Sequence, residues 1–394
     1  MHIEQSLLTR TFNQFFNSEK SSGILILVCT LVSISIANSI FGEQYLNIWH
    51  IEILGLSIEH WVNDGLMAVF FLFIGLELER ELYSGELSNF KKALLPFFAA
   101  VGGIAIPALI HFSFNKNTPT QIGMGIPMAT DIAFALGVLA LLGSRVPVSL
   151  KIFLTALAVI DDLGAIIVIA VFYTSEISAM YLAAALCVFG IMVMMNRTLR
   201  VVTLLPYLIG GAIMWLLMLK SGVHATIAGV MLAFAIPYSS KQDDEESPSH
   251  KLEHFLHKPV AYLVLPIFAL ANTGIVFDSG WPDNLSSANS IGILAGLVIG
   301  KPLGIALVTF IVVMLGLCQF PQDMNWKHVL GAGLLAGIGF TMSIFITNLA
   351  YVGNSEMITA SKIAILFASL TAGTLGFLWL RFFLKTHNSD SAHP

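Results

Sequence analysis

Residues 150–174 read LKIFLTALAVIDDLGAIIVIAVFYT, and what this stretch is decides what the rest of the chain must be. At ~1.5 Å of rise per residue it is long enough to cross the ~30 Å hydrocarbon core of a bilayer as one helix. Near its middle stand two adjacent carboxylates, Asp161 and Asp162. An ionised carboxylate at the bilayer centre costs about 2.5–3.5 kcal/mol on insertion scales, and two neighbouring charges repel. The pair is therefore expected to hold a proton or a cation. A plainer reading has helix partners quench both acids so that they only hold the bundle together. It is the weaker one, because acids inside a membrane default to function.

The surrounding composition agrees. Of 394 residues, 56% are hydrophobic and 11% charged, against roughly 25% charged in an ordinary soluble domain. Apolar runs recur without a soluble interval, so residues 1–394 read as one all-α polytopic membrane unit. Cys29, Cys187 and Cys318 lie in or beside apolar runs and imply neither a disulfide framework nor a metal site. No GxxxxGK[ST] string is present, so no nucleotide drives the work. Neither a cofactor nor a nucleic-acid partner is expected.

Twelve spans are expected, at about 23–42, 61–80, 91–113, 122–143, 150–174, 177–195, 201–219, 223–238, 255–277, 290–317, 328–350 and 357–383. Residues 1–22 carry scattered Leu and Phe among polar residues and suit a helix lying on the membrane surface, not a cleaved signal peptide. With both termini cytoplasmic, fifteen Lys and Arg fall inside and only Lys116, Lys220 and Lys362 outside. The positive-inside rule expects such a split. A polar cytoplasmic loop is expected over about 239–254. Residues 47–59 turn at Leu54-Gly55 and read as a small outer β-hairpin with an unpaired edge, suited to pairing with a second copy in a homodimer. An irregular interfacial loop anchored by Trp49 and Trp61 fits that pattern equally well.

In this topology the spans within 91–174 and those within 290–383 form two three-span units of opposite orientation. The middle member of each, spans 4 and 11, looks discontinuous. GMGIPMATDIAFALG places Gly123, Gly125 and Pro127 ahead of Thr130 and Asp131, and GAGLLAGIGFTMS places Gly337 and Gly339 at an interruption. Interrupted segments in corresponding positions of inverted halves point to a transporter's binding site, because they free carbonyls, amides and half-helix dipoles inside the membrane. Glycines that merely let helices pack closely are the simpler explanation, but Asp131 beside one break favours a site.

Four charged groups lie well inside spans: Asp131, Asp161, Asp162 and Lys301. Three acids and one base cannot pair one to one. A small hard cation wants oxygen ligands, and Asp161, Asp162, the Thr130 hydroxyl and freed carbonyls can supply them.

The strings MATDIAFALGVLALLG, LKIFLTALAVIDDLGAIIVIA, SGVHATIAGV, GKPLGI and GIGFTMSIFI resemble the signature segments of the bacterial NhaA sodium/proton antiporter family, in the same order over nearly the whole chain. That family is itself among the transporters on which the inverted-repeat rule rests. The resemblance implies that Asp162 is the principal sodium ligand and proton acceptor, that Asp161 can pair with Lys301, and that Thr130 lies close to the ion. Asp131 and Lys301 would compensate half-helix dipoles where the broken spans cross. Glu77, Arg80 and Glu81 in FFLFIGLELERE and Glu253, His254 and His257 in KLEHFLH would form a cytoplasmic mouth associated with pH sensing, as is His224. Asp64 would mark the exit route. A solvated salt-bridged cluster is the ordinary alternative for the Glu77–Arg80–Glu81 group, and loop histidines usually regulate nothing. Glu79, where relatives often carry a basic residue, and the acidic run Asp243 to Glu246 depart from the family pattern.

What the resemblance implies is pH-regulated, electrogenic export of Na+ or Li+ in exchange for H+, in the bacterial inner membrane and without enzymatic activity. A sodium-coupled symporter of an organic solute is the rival on the same architecture, though no polar substrate cavity is evident. An intramembrane aspartyl protease also uses two acids, but adjacent acids on one helix diverge by roughly 100°, which suits no shared water.

Overall fold

The computed structural model describes residues 21–173, 177–239, 247–277, 280–321 and 323–384. Nearly all of the surface helix expected over residues 1–22, and the run Asp243–Glu246, lie outside these. Among the described residues eight helices are long and apolar enough to cross a membrane: Ile58–Tyr83, Ala93–Asn115, Val148–Phe172, Ala179–Arg197, Leu204–Ser221, Pro248–Asn272, Ala288–Met314 and Ser355–Phe383. Two further pairs are each bent at a short break, Pro119–Met128 with Ile132–Leu141 by 42° and Trp326–Ala336 with Phe340–Ala350 by 47°. The chain is a polytopic α-helical membrane protein. The two remaining expected spans hold shorter helices, Ser21–Ala37 and Ile227–Ala235. The latter has only 9 residues, roughly 14 Å of rise, because Gly222 at φ +81° ends the preceding helix and the chain winds loosely through His224 before helix resumes.

Two boundaries differ from the sequence reading. The polar loop expected to reach residue 254 gives way to helix at Pro248, where the Ser247 hydroxyl accepts from His250 N (3.3 Å) and proline fills the first turn. This is a standard helix start, and it puts Glu253, His254 and His257 on a helix. The hairpin is also shorter than expected. Trp49 ends a helix (Gly42–Trp49), and only Glu52–Ile53 and Leu56–Ser57 pair, antiparallel, with Glu52 opposite Ser57. Leu54 (φ +55°) and Gly55 (φ +82°) make a tight turn with both central residues left-handed, the two-residue geometry that matches strand twist. Ser57 then caps the next helix by accepting from His60 N (3.1 Å).

Packing relies on small residues, as it must where lipid is as apolar as the side chains. Helices Ala93–Asn115 and Ala288–Met314 touch backbone to backbone: a Cβ on Gly102 would lie 2.2 Å from Gly304 O, and one on Gly304 would lie 2.1 Å from Gly102 O. Helix Ala288–Met314 also widens to a π turn at Gly296–Gly300 immediately before Lys301. Pro302 explains this, since it lacks an N–H and its ring clashes with the carbonyl four residues back.

The half-helix Phe340–Ala350 is tied to two other helices in two layers, at its middle and towards its C-terminal end. Phe345 sits against Phe71 and Phe268, with ring centroids 5.5 and 6.3 Å away. Nearly one turn further along, Asn348 donates to Asn272 Oδ1 (2.6 Å), and Asn272 donates to Asn63 Oδ1 (2.8 Å).

Candidate ion site

The site is built where the two bent pairs break. The first leaves helix through Ala129, extended at ψ 151°, and re-enters at Asp131, whose carboxylate accepts from Phe134 N (3.1 Å) as an N-cap. Aspartate is among the residues best suited to that position. The second breaks from Gly337 to Gly339, where a Cβ on Gly337 would meet Leu297 O at 2.5 Å.

The breaks satisfy each other. Asp131 N donates to Ile338 O (2.7 Å), and the Thr130 hydroxyl lies 3.0 Å from Ala336 O. The Asp131 carboxylate also accepts from Thr341 N (3.0 Å) and from the Thr341 hydroxyl. One negative group thus faces the N-termini of two half-helices, whose dipoles favour it. Lys301 Nζ donates to Met128 O, at the end of the 3-10 segment Pro119–Met128, and lies 2.8 Å from Asp161 Oδ2. The Thr130 hydroxyl reaches the same Asp161 oxygen at 2.7 Å.

The four midplane charges therefore divide into three situations. Lys301 takes Asp161, Asp131 caps helices, and Asp162 is left over. Both Asp162 oxygens and Asp161 Oδ1 are buried with no hydrogen-bond partner among the described residues, and Asp162 is 0% exposed. A buried ionised carboxylate without a partner is untenable, so this arrangement calls for a proton or a cation. No group of three or more His, Cys, Asp or Glu is placed to hold a metal among the described residues. A cation here would draw on carboxylate, hydroxyl and carbonyl oxygens together, a donor set that suits a small hard ion.

The residues expected at the mouth come together only in part. Arg80 reaches Glu253 (2.8 Å), Glu81 (2.9 Å) and Glu77 (3.7 Å). Glu77 and His257 line a cavity of about 20 Å³ together with Ser22, Phe73, Ile132 and Ala133, so the cavity runs up to the half-helix that Asp131 caps. His254 is exposed on the outer face of its helix. His224 is elsewhere, its Nε2 2.7 Å from Tyr173 O. Asp64 pairs with His60 (2.9 Å), and its carbonyl accepts from Trp215 Nε1 (3.1 Å).

Several contributors escaped the sequence reading. Thr341 stands two residues beyond Gly339 within a quoted string, and that adjacency was its only signal. Ser249, which donates to buried Glu79 (3.1 Å), was hidden because its stretch read as loop. Ser343, which donates to Ile126 O (2.7 Å), could be found only once the two breaks were known to face each other.

Fold and site together define a multi-pass membrane protein with a buried charged centre between two interrupted helices, the class of secondary ion transporters. A family model described as Na+/H+ antiporter 1 matches residues 13–380. A protein named Na(+)/H(+) antiporter NhaA from Dechloromonas aromatica is 68% identical over 384 residues, covering 98% of this chain and 99% of that one. Proteins of the same name from Cytophaga hutchinsonii and Vibrio parahaemolyticus are 57% and 50% identical, covering 96% and 95% of this chain and 97% and 98% of their own. The chain belongs to the Na+/H+ antiporter 1 family, whose members are transporters and not enzymes. The family matched is one of antiporters, which removes support for the organic-solute symporter.

Proposed function

We propose that this protein exports Na+ or Li+ across a bacterial inner membrane in exchange for H+, with Na+ and H+ competing for Asp162. The observation that carries this reading is the buried, unpartnered Asp162 carboxylate beside an Asp161 that Lys301 and Thr130 already hold. In the cytoplasm-facing state Na+ displaces the proton. The loaded site then opens outward, where protons replace the ion, so the switch proceeds with the site occupied by one or the other.

In this reading the chain crosses the membrane twelve times with cytoplasmic termini, and the segments within 91–174 and 290–383 are inverted repeats. Asp131 and Lys301 neutralise half-helix ends. Exchange is electrogenic, more protons entering than Na+ leaving. The Arg80 cluster with Glu77, Glu81 and Glu253, together with His254 and His257, forms a titrating mouth, to which the cavity beside Glu77 lends support. His224 contributes to pH response from its separate place, and Asp64 lines the exit. The hairpin edge pairs two copies into a dimer.

The test is Na+- or Li+-induced collapse of a pH gradient in everted membrane vesicles. Both ions should release protons in the parent, and Asp162→Asn should abolish the release while leaving the amount of protein in the membrane unchanged. A parent inert at every pH, or a variant that transports normally, overturns the assignment.

A further inference from the structure

Gly123 and Gly125 stand in the sequence as if they made the first interruption, yet helix is lost later, at Ala129–Asp131. Each glycine instead faces a phenol. A Cβ on Gly123 would stand 2.0 Å from the Tyr351 hydroxyl, and one on Gly125 would stand 2.6 Å from that of Tyr173. Both hydroxyls are engaged with the backbone of the 3-10 segment Pro119–Met128. Tyr173 donates to Ile122 O (2.8 Å) and accepts from Gly125 N (3.2 Å). The Tyr351 hydroxyl lies 3.0 Å from Thr120 O and 2.7 Å from Asn289 Oδ1, its one proton shared between them. Backbone at membrane depth that is not α-helical needs such partners, and glycine lets them come close.

The tyrosines also have a common origin. Tyr173 immediately follows helix Val148–Phe172, which carries Asp161 and Asp162. Tyr351 immediately follows half-helix Phe340–Ala350, which starts beside Asp131. Each of two helices that line the site thus ends by gripping the third element, and that element delivers Met128 O and Thr130 to Asp161 and Lys301.

We propose that Tyr173 and Tyr351 are positioning residues for the ion site. They hold segment Pro119–Met128 at a fixed height against the other two site helices, and so set where the Met128 carbonyl and the Thr130 hydroxyl stand relative to Asp161 and Asp162. Neither hydroxyl touches the site; the effect passes along the segment. This rests on the transport reading above.

The test is Tyr173→Phe and Tyr351→Phe in the full chain, which keep the rings and remove only the hydroxyls. In everted vesicles the apparent KM for Na+ should rise about fivefold, the size of one lost buried hydrogen bond. The maximal rate and the amount of membrane protein should stay within about twofold, since the effect falls on ion binding and not on the conformational switch. The ratio of KM for Li+ to KM for Na+ should shift as well, because ions of different radius read the same displacement differently. Calorimetric titration of the purified variants with Na+ gives the same comparison without transport. Parent-like KM, ratio and calorimetric affinity overturn the proposal. So does a fall in protein amount or thermal stability with unchanged KM, which assigns the hydroxyls to folding alone. A parent that neither transports nor binds Na+ overturns the transport reading first and this inference with it.

Discussion

The first broken span has ten residues of 3-10 winding before its gap and α-helix only after it, whereas the second keeps α-helix on both sides of a gap of three residues. The first is held open from outside, by Tyr173, Tyr351, Ser343 and Lys301 reaching its carbonyls. In the second, the gap is made by glycines pressed against Leu297. The comparison teaches that a helix can be interrupted by giving its backbone other partners or by denying its neighbours room, and that the two routes fail differently.

The largest expected effect tests the first route. Lys301→Ala should remove the partner of Asp161 and of Met128 O at once, and breaking a buried pair costs about 3–5 kcal/mol. The apparent melting temperature in detergent should fall sharply, and Lys301→Ala combined with Asp161→Asn should recover most of the loss. An unchanged single variant would mean that the pair does not hold the break. Next is the second route. Gly337→Ala should cost about 1–3 kcal/mol by overpacking against backbone that cannot swing aside, again read as melting temperature. If it is silent, crowding is not what keeps that gap.

Asp131→Asn acts on both routes because its carboxylate serves a half-helix of each span. Losing the charge while keeping a capping oxygen should cost about 1–2 kcal/mol. Thr341→Val removes one of that carboxylate's donors and leaves its bonds to Phe134 N and Thr341 N in place, so it should cost less, and equal losses would show that the hydroxyl is what the acid serves. The smallest effect is expected at Gly339→Ala. Its new methyl would meet the Ser343 hydroxyl and the Leu297 side chain, not backbone, so Ser343 must turn away from Ile126 O and the loss should be about the 1 kcal/mol of that one hydrogen bond. A greater loss than at Gly337→Ala would reverse the comparison.

The long spans and the charged centre were legible in sequence because each has a cost that composition exposes. A run of apolar residues as long as Val148–Phe172 has few uses outside a bilayer, and acids within it need a reason. Both breaks were legible for the same cause, glycines and an aspartate inside apolar runs, although at the first one the glycines marked seats for tyrosines and not the gap itself. The short helix Ile227–Ala235 and the early start at Pro248 were misjudged because hydropathy does not see Gly222 ending one helix or Ser247 capping another. Tyr173, Tyr351, Ser343 and Thr341 were hidden more deeply. Their partners lie 48 or more residues away in sequence, on another span, and a hydroxyl among apolar neighbours leaves no periodic trace.

The three carboxamides of Asn63, Asn272 and Asn348 join half-helix Phe340–Ala350 to two helices that carry none of the midplane charges. A neutral bond of this kind is worth about 1 kcal/mol net, where rupture of a buried ion pair costs several times more. Thermal motion can unfasten bonds of that strength and close them again without help from an ion. The molecule fastens one joint with charge, at Lys301 and Asp161, and the seam beyond Phe345 with uncharged amides. A seam of that strength parts more readily than the Lys301–Asp161 joint.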